Sequence, residues 1–288
     1  MILFILKILA RIPLPVLHLG AWPLGLLLII IPNKQRHYAR INVRICLPQL
    51  SFRQRQWIWM RSLIETVKTL LESPKLWLGK QRKVLQLIRK VDGLEAVKQA
   101  REKGKGVIFI APHLGNWEII GQFYSYNFPM VLMYRPQKNP ELDDIIRKGR
   151  ERFDAQLVPS TRKGLAILLK SLRENKTIGI LPDQNPGAGA GVYVPFFGIS
   201  ANTPIFATRL ASRTHAAAFI VTAERLAFGR GYHLHIEAAS KCLYDRNVET
   251  GAACMNRDME KIILRRPEQY WWSYNRFRHR PEGEPEIY

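Results

Sequence analysis

Short apolar runs recur along the middle of the chain, each separated from the next by a stretch of helical periodicity, and this rhythm limits the fold more than any other feature. Val107–Ile110 with Ala111, Pro129–Tyr134, Thr177–Leu181 and Ala216–Val221 read as buried strands. Between them, helices are expected from Asn116, over Asn139–Phe153, over Thr161–Arg173 (which buries Leu165, Leu168, Leu169 and Leu172) and over Thr203–Arg213. Strands and helices in alternation predict an α/β fold, a mostly parallel central sheet flanked by helices. Tyr232–Glu237 alternates by two and predicts an edge strand with its two histidines on one face. No third metal ligand is evident beside them, so they read as exposed sheet histidines. Upstream, Ser51–Ser73 carries Trp57, Met60, Ile64, Val67 and Leu71 on one helical stripe, with Pro74 expected to end it. Asp92 is expected to cap a short helix to Lys103.

The amino terminus follows a different pattern. Ile12–Ile31 has no charged residue and is about the length needed to cross ~30 Å of hydrocarbon. The run is too long for a cleavable signal, although Pro13, Pro15 and Pro23 weaken a helix and leave a shallow or re-entrant anchor open. Lys34, Arg36, Arg40 and Arg44 follow, which places the bulk of the chain on the cytoplasmic side. The organisation expected is an amino-terminal membrane anchor over 1–33 and a catalytic domain over 34–288, with a buried hairpin of the domain as the alternative reading of the anchor.

Charge narrows the partners. With 44 Lys+Arg against 23 Asp+Glu the formal net charge is +21, which suits nucleic acid, anionic lipid or an acidic carrier protein. The aromatic-basic run Trp271, Trp272, Tyr274, Arg276, Arg278, His279 and Arg280 resembles a nucleic-acid patch in composition; beside a membrane anchor it reads as an interfacial belt. Cys46, Cys242 and Cys254, odd in number and without Cys-x-x-Cys spacing, predict three buried thiols in a reducing compartment rather than a disulfide framework or a zinc site.

The chemistry concentrates where the first central strand ends. His113 stands at that carboxyl end, where ligands gather in α/β sheets, and "HLGNWE" sets Glu118 five residues on. A strand–turn–helix, with Gly115 permitting the tight turn, is expected to fold the carboxylate back onto the ring. One imidazole nitrogen held by a carboxylate leaves the other free to act as general base. No Gly-x-Ser-x-Gly or suitably placed cysteine supplies a nucleophile, so the base should act on a hydroxyl that the substrate brings. A metal site is disfavoured, because the stretch offers two ligands where three are usual.

These residues resemble a known family. "HLGNWE" is similar to the His-x4-Asp/Glu box of the glycerolipid acyltransferases, in the form typical of the late lipid A acyltransferases, the lauroyl and myristoyl transferases of lipopolysaccharide synthesis. "RINVRICLPQLSFRQR", "MYRPQKNPELDDIIRKGRERF", "LPDQNPGAGAGVYVPFFG" and "RRPEQYWWSYNRFRHRPEG" extend the resemblance over most of the chain. Leu47-Pro48-Gln49 departs from the family's more usual aromatic and acid, and the Gly187–Gly191 loop is unusually small-residued.

The resemblance implies acyl transfer, without a covalent acyl-enzyme or cofactor, from an acyl-carrier-protein thioester to a hydroxyl of a 3-hydroxyacyl chain on an anionic (Kdo-)lipid A precursor at the bacterial inner membrane. His113 would be the base and Glu118 its orienting partner, with backbone N–H groups near Gly115 and Asn116 as oxyanion donors. Arg150 is expected to contact acceptor phosphate or oxyanion, Asp183 to organise Arg150 or the loop, and Gln184 to bind substrate. Separately, Arg162 with Lys163, at a helix amino terminus, is expected to meet an anion through side chain and free N–H groups, and nucleic acid is not expected as a partner. An acyltransferase for a lysophospholipid or a phosphatidylinositol mannoside is the second reading. A membrane-tethered basic binding protein is the third; it leaves "HLGNWE" unexplained.

Overall fold

The computed structural model describes residues 2–288. Four helices lead: α1 (Ile2–Arg11), α2 (Leu14–Ile30), α3 (Lys34–Cys46) and α4 (Phe52–Leu78). The sheet segments and their crossovers then follow as α5 (Gln81–Leu85), β1 (Ile88–Asp92), α6 (Leu94–Glu102), β2 (Val107–Ile110), α7 (Trp117–Asn127), β3 (Met130–Tyr134), α8 (Pro140–Arg150), β4 (Gln156–Pro159), α9 (Arg162–Arg173) and β5 (Thr177–Ile180). A hairpin of β6 (Gly191–Phe196) and β7 (Ile199–Pro204) stands apart from the main sheet, and α10 (Phe206–Thr214), β8 (Ala217–Arg225), β9 (Tyr232–Ala238) and α11 (Val248–Ile263) complete the fold.

The seven-stranded sheet has the order β1-β9-β8-β2-β5-β3-β4, and every neighbouring pair is parallel except β8 with β9. It is therefore the mostly parallel, helix-flanked sheet expected. Buried side chains alternate between its faces: Ile108 and Ile110 of β2 join one apolar cluster, Val107 and Phe109 the other. Such two-sided burial is why the central strands read as continuous apolar runs.

Several expectations give way to tertiary context. Pro74 does not end the long helix, because α4 runs on through it to Leu78. Beyond the proline, Leu76 is fully buried and Arg152 binds the carbonyls of Leu76, Trp77 and Gly79, contacts that hold the last turn where sequence alone predicts a break. Asp92 closes β1 rather than capping a helix; Gly93, in the left-handed region, precedes α6. Thr203 belongs to β7, so α10 begins at Phe206. β9 is not an edge strand, since β1 pairs along its outer side. Cys242 and Cys254 form a disulfide and only Cys46 remains a buried thiol, so the expectation of three thiols fails. The turn after β9 and the helix α11 bring the two Cα atoms to 5.7 Å, inside the range a bridge requires. Cysteine usage therefore no longer argues for a reducing compartment.

No single described helix is long and apolar enough to cross a membrane; α2 and α3 together meet the length and composition but are bent by 82°. Helix α2 lies along α4, burying Leu14, Leu17, His18, Ala21 and Gly25. Its other side is bare: Val16, Leu19, Leu26, Leu27 and Ile30 are exposed, as are Phe4, Ile5 and Ile8 of α1.

Candidate active site

His113 and Asp183 meet because their strands are neighbours. In the β2–β5 pair Ile110 lies opposite Ile180, and each chain then runs three residues past that point to His113 and to Asp183. Asp183 clamps the histidine twice. One carboxylate oxygen lies 2.6 Å from the ring Nδ1 and the other accepts the His113 backbone N–H at 2.8 Å. Burial alone would push this carboxyl up, but the histidine beside it, the two hydrogen bonds and Arg276 hold it below its ordinary value. It is thus an anion that accepts the Nδ1 proton, which leaves Nε2 of the neutral ring unprotonated. Nε2 faces the Gln184 amide nitrogen at 3.3 Å. Only 13% of the histidine side chain is exposed, with Trp117 edge-on at 4.7 Å and Trp271 tilted at 5.4 Å; the two indoles stack on each other.

Glu118 takes another role than the one expected. Asn116 caps α7 by accepting the Glu118 N–H, and the carboxylate then turns to Arg150 on α8. Nε and Nη2 of Arg150 donate to its two oxygens at 3.0 and 2.5 Å, and the Trp77 indole N–H donates at 2.9 Å. Burial opposes charge on both partners. The pairing wins: Glu118 is held below its ordinary pKa and Arg150 above. Among the described residues no hydrogen bond joins Glu118 to His113, so the carboxylate is not folded back onto the ring. The physical reason is that position 118 lies in the first turn of α7, facing α8, whereas Asp183 approaches along the sheet.

The turn between them is pinned. Gly115 has φ of +64°, and a Cβ there would lie 1.9 Å from the Ala223 carbonyl oxygen, so only glycine fits. Its N–H donates to Gln269 O and that of Asn116 to Ala223 O, at 3.0 and 3.3 Å. Both groups are thus committed, and the expectation that they serve as oxyanion donors gives way to a structural role. Beneath the turn lies a buried ionic network. Arg225 binds Glu65, Glu72 and the Gly115 carbonyl, and Asn116 Nδ2 donates to Glu72, which also pairs with His18 of α2. Asn116 is therefore completely buried and supports the site from behind rather than touching its contents.

His113 and Gln184 open onto a cavity of about 410 Å³. Ile120, Gly121, Met130, Leu132, Gly179 and Phe206 line its apolar part, and Arg135 and Arg150 are its cations. Arg150 lines the cavity, but its charge is spent on Glu118. Arg135, which the sequence reading passed over, stands exposed on the stretch after β3. Arg162 sits on the exposed start of α9, outside the cavity lining, so the structure does not bring it to His113. Asp183 organises the histidine, and Arg150 is organised by Glu118. Sequence singled out Asp183 for a loop or Arg150 rather than for His113; its place three residues beyond a strand end, like that of His113, was the signal for the pairing, and what was missing was that the two strands are adjacent.

Residues 1–279 match the family described as bacterial lipid A biosynthesis acyltransferase. The chain is similar to the lipid A biosynthesis lauroyltransferase of Escherichia coli (strain K12), 27% identical over 99% of this chain and 92% of that protein. It is 29% identical to the palmitoleoyltransferase of the same strain over 96% of this chain and 90% of the relative. With that strain's myristoyltransferase it shares 27% identity over 89% of this chain and 79% of the relative.

Proposed function

The chain belongs to the bacterial lipid A biosynthesis acyltransferase family and is an acyltransferase, and from that premise we propose a reaction, a donor and a mechanism for it. The donor is the thioester of an acidic acyl carrier protein, and the acceptor is a hydroxyl on a 3-hydroxyacyl chain of a (Kdo-)lipid A precursor. The observation that carries this reading is His113 in the wall of a largely apolar cavity, with Nδ1 tied to a buried carboxylate and Nε2 turned to the cavity residue Gln184.

His113 Nε2 takes the proton of the acceptor hydroxyl as its oxygen attacks the thioester carbonyl. The tetrahedral oxyanion collapses and expels the carrier's thiolate. The imidazolium returns its proton to that sulfur, so an ester and a thiol leave and the ring is neutral again. Asp183, rather than Glu118, orients the ring and stabilises its charged form, the part a buried aspartate plays in serine-protease triads. Glu118 and Arg150 brace α7 against α8 and shape the cavity wall. Gln184 is placed to meet the reacting oxygen, and Arg135 is the cation left for a phosphate of the acceptor. No protein nucleophile is required, because the substrate supplies the hydroxyl.

The same reading places the catalytic body on the cytoplasmic face of the inner membrane. The bare apolar side of α1 and α2, next to Arg36, Arg40 and Arg44, supports insertion of the amino-terminal segment into the bilayer with its basic neighbours at the headgroups.

The test uses the purified full chain in detergent with a Kdo-bearing tetra-acylated precursor and carrier proteins loaded with different chains. The lipid product should gain the mass of one acyl group and lose that gain in His113→Ala of unchanged fold. No mass gain with any donor on this precursor would overturn the lipid A reading, and an active His113→Ala would overturn the mechanism.

A further inference from the structure

A second group of chemistry-bearing side chains lies on the far part of the sheet, away from the cavity and unused by the acyl-transfer mechanism. His233 and His235 project from one face of β9, and the strands on either side of it each add a carboxylate to that face. The register sets Asp92 of β1 opposite His235 and Glu224 of β8 opposite His233. The imidazole centroids are 3.9 Å apart. Nε2 of His233 is 2.7 Å from Asp92 Oδ2, and Nδ1 of His235 is 3.8 Å from the same oxygen.

We propose that Asp92, His233 and His235 form a binding site for a divalent transition-metal cation of the Zn2+ type. Three observations converge on it. One ligand atom from each of the three residues lies within 4.8 Å of the other two. Tetrahedral zinc holds its ligand atoms about 3.3 Å apart, given bonds near 2.0–2.1 Å, and the two separations to Asp92 Oδ2 bracket that value. The two histidine nitrogens, which lie within 4.8 Å of each other, would be drawn to the same spacing by side-chain rotation as the metal binds.

The third observation concerns His235. Its other nitrogen, Nε2, lies 3.2 Å from Glu224, which is itself held by Arg266 at 2.7 Å. A histidine with one nitrogen turned to the ligand cluster and the other donating to an anchored carboxylate has the tautomer that metal ligation requires. Neither of two histidines on a half-exposed strand needs such an arrangement for packing.

The cation would occupy the centre now spanned by hydrogen bonds, with three protein ligands and water in the fourth position. Lys90 pairs with Asp92 at 3.0 Å, but its side chain is largely exposed and can swing away as the metal arrives. The consequence is mechanical. β1 is an edge strand of five residues with an irregular register, and the metal would tie it to β9, while Glu224 links the site to β8. Sequence spacing showed two histidines without a third ligand, because Asp92 is 141 residues from His233 and was assigned to a helix cap.

The experiment is titration of the full-length, chelator-treated protein in detergent with Zn2+ by calorimetry and with Co2+ by visible absorption. The expected result is one metal per chain and cobalt bands of low-symmetry tetrahedral type. Both should vanish in the His233→Asn/His235→Asn double variant and in Asp92→Asn. Glu224→Gln should weaken affinity tenfold or more while leaving the stoichiometry at one. Asp92→Asn changes a half-exposed side chain, so it remains informative if the double variant fails to fold. Absence of binding to the wild-type chain, or binding that survives Asp92→Asn and the double variant, would overturn the proposal. Acyl transfer by the metal-free protein is not a readout, so this test is independent of the function proposed above.

Discussion

Replacing Asp183 by Asn probes the division of labour between two buried carboxylates. The aspartate offers two acceptors and uses both, one on the His113 ring and one on its backbone N–H. Asparagine offers a single acceptor. If the amide oxygen keeps the backbone N–H, its NH2 group faces Nδ1, and the ring must carry its proton on Nε2, where the base is needed. If the oxygen keeps the ring, two N–H donors face each other in a site only 1% exposed, where water cannot relieve them. Either arrangement removes the competent tautomer and the stabilisation of the imidazolium. General-base catalysis contributes roughly 10²–10⁴-fold, about 3–5 kcal/mol of barrier, and kcat should fall within that range. KM for the acyl donor should stay near wild type, because Asp183 is shielded from the cavity by the histidine it holds. Single-turnover acyl transfer with mass detection of the product measures the first quantity and steady-state titration of the donor the second. Glu118→Gln is the necessary comparison. It leaves the Arg150 charge without a partner and should act first on stability, by about 3 kcal/mol, the low end for a broken buried pair because Arg150 keeps some solvent. An Asp183→Asn enzyme that retains more than about a tenth of wild-type kcat, beside a folded Glu118→Gln enzyme slowed a thousandfold, would return the orienting role to Glu118 and refute the reasoning.

Gly115→Ala should abolish soluble, folded protein rather than merely slow it, since its Cβ would collide with Ala223 O; a cooperative melt within a few degrees of wild type would contradict this. Gly121→Leu fills the apolar part of the cavity from α7 and should shift preference to shorter acyl chains, each methylene being worth about 1–3 kcal/mol; competition between carrier proteins of different chain length reads the change, and an unaltered preference would remove this wall from the acyl site. Glu72 is fully buried; burial raises its carboxyl, but Arg225 and His18 overcome this and bring it to about 2. Its stabilising contribution is present above about pH 4.5 and is lost as pH falls toward 2, roughly 3 kcal/mol at ~1.4 kcal/mol per pH unit. Glu72→Gln should therefore lower stability near neutrality and flatten the acid limb of the denaturation profile, which chemical unfolding across pH 2–7 measures; an unchanged limb would show that the acid transition lies elsewhere.

The sheet was legible because its central strands are buried on both faces, so their residues announce themselves as apolar runs. His113 was legible for the related reason that it follows one of those runs. Its partner was not, because the nearest carboxylate in sequence is Glu118, whereas the nearest in space depends on strand order. Sequence periodicity locates strands without saying which lie side by side; here β5, fifth in the chain, inserts between β2 and β3. The same limitation hid Asp92 from His233 and His235; Cys242 and Cys254 were hidden for another reason, because an odd cysteine count without Cys-x-x-Cys spacing does not show that the turn after β9 folds back onto α11. Arg150 was singled out, but its pairing with Glu118 was not, since a helix arginine facing a cavity and one paired with a buried glutamate have the same sequence.

Helix α2 bears on the active site more directly than its apolar composition suggests. Its outward side chains suit lipid, yet on its inner side His18 pairs with Glu72, the carboxylate that also holds Arg225 and the Asn116 amide. Asn116 caps α7 two residues before the chain commits Glu118 to Arg150, and three residues after His113. Gly25 lets the two helices touch: a Cβ there would lie 2.6 Å from Ile64 of α4, so small-residue contact sets how closely α2 approaches. A displacement of α2 would therefore leave a fully buried glutamate short of a partner at the base of the catalytic turn, in surroundings where an unpaired charge is costly. The segment that reads as a membrane anchor is in this respect packed into the body of the domain: buried hydrogen bonds run from His18 through Glu72 to Asn116 and, by way of Arg225, to the Gly115 carbonyl, in the turn that follows His113.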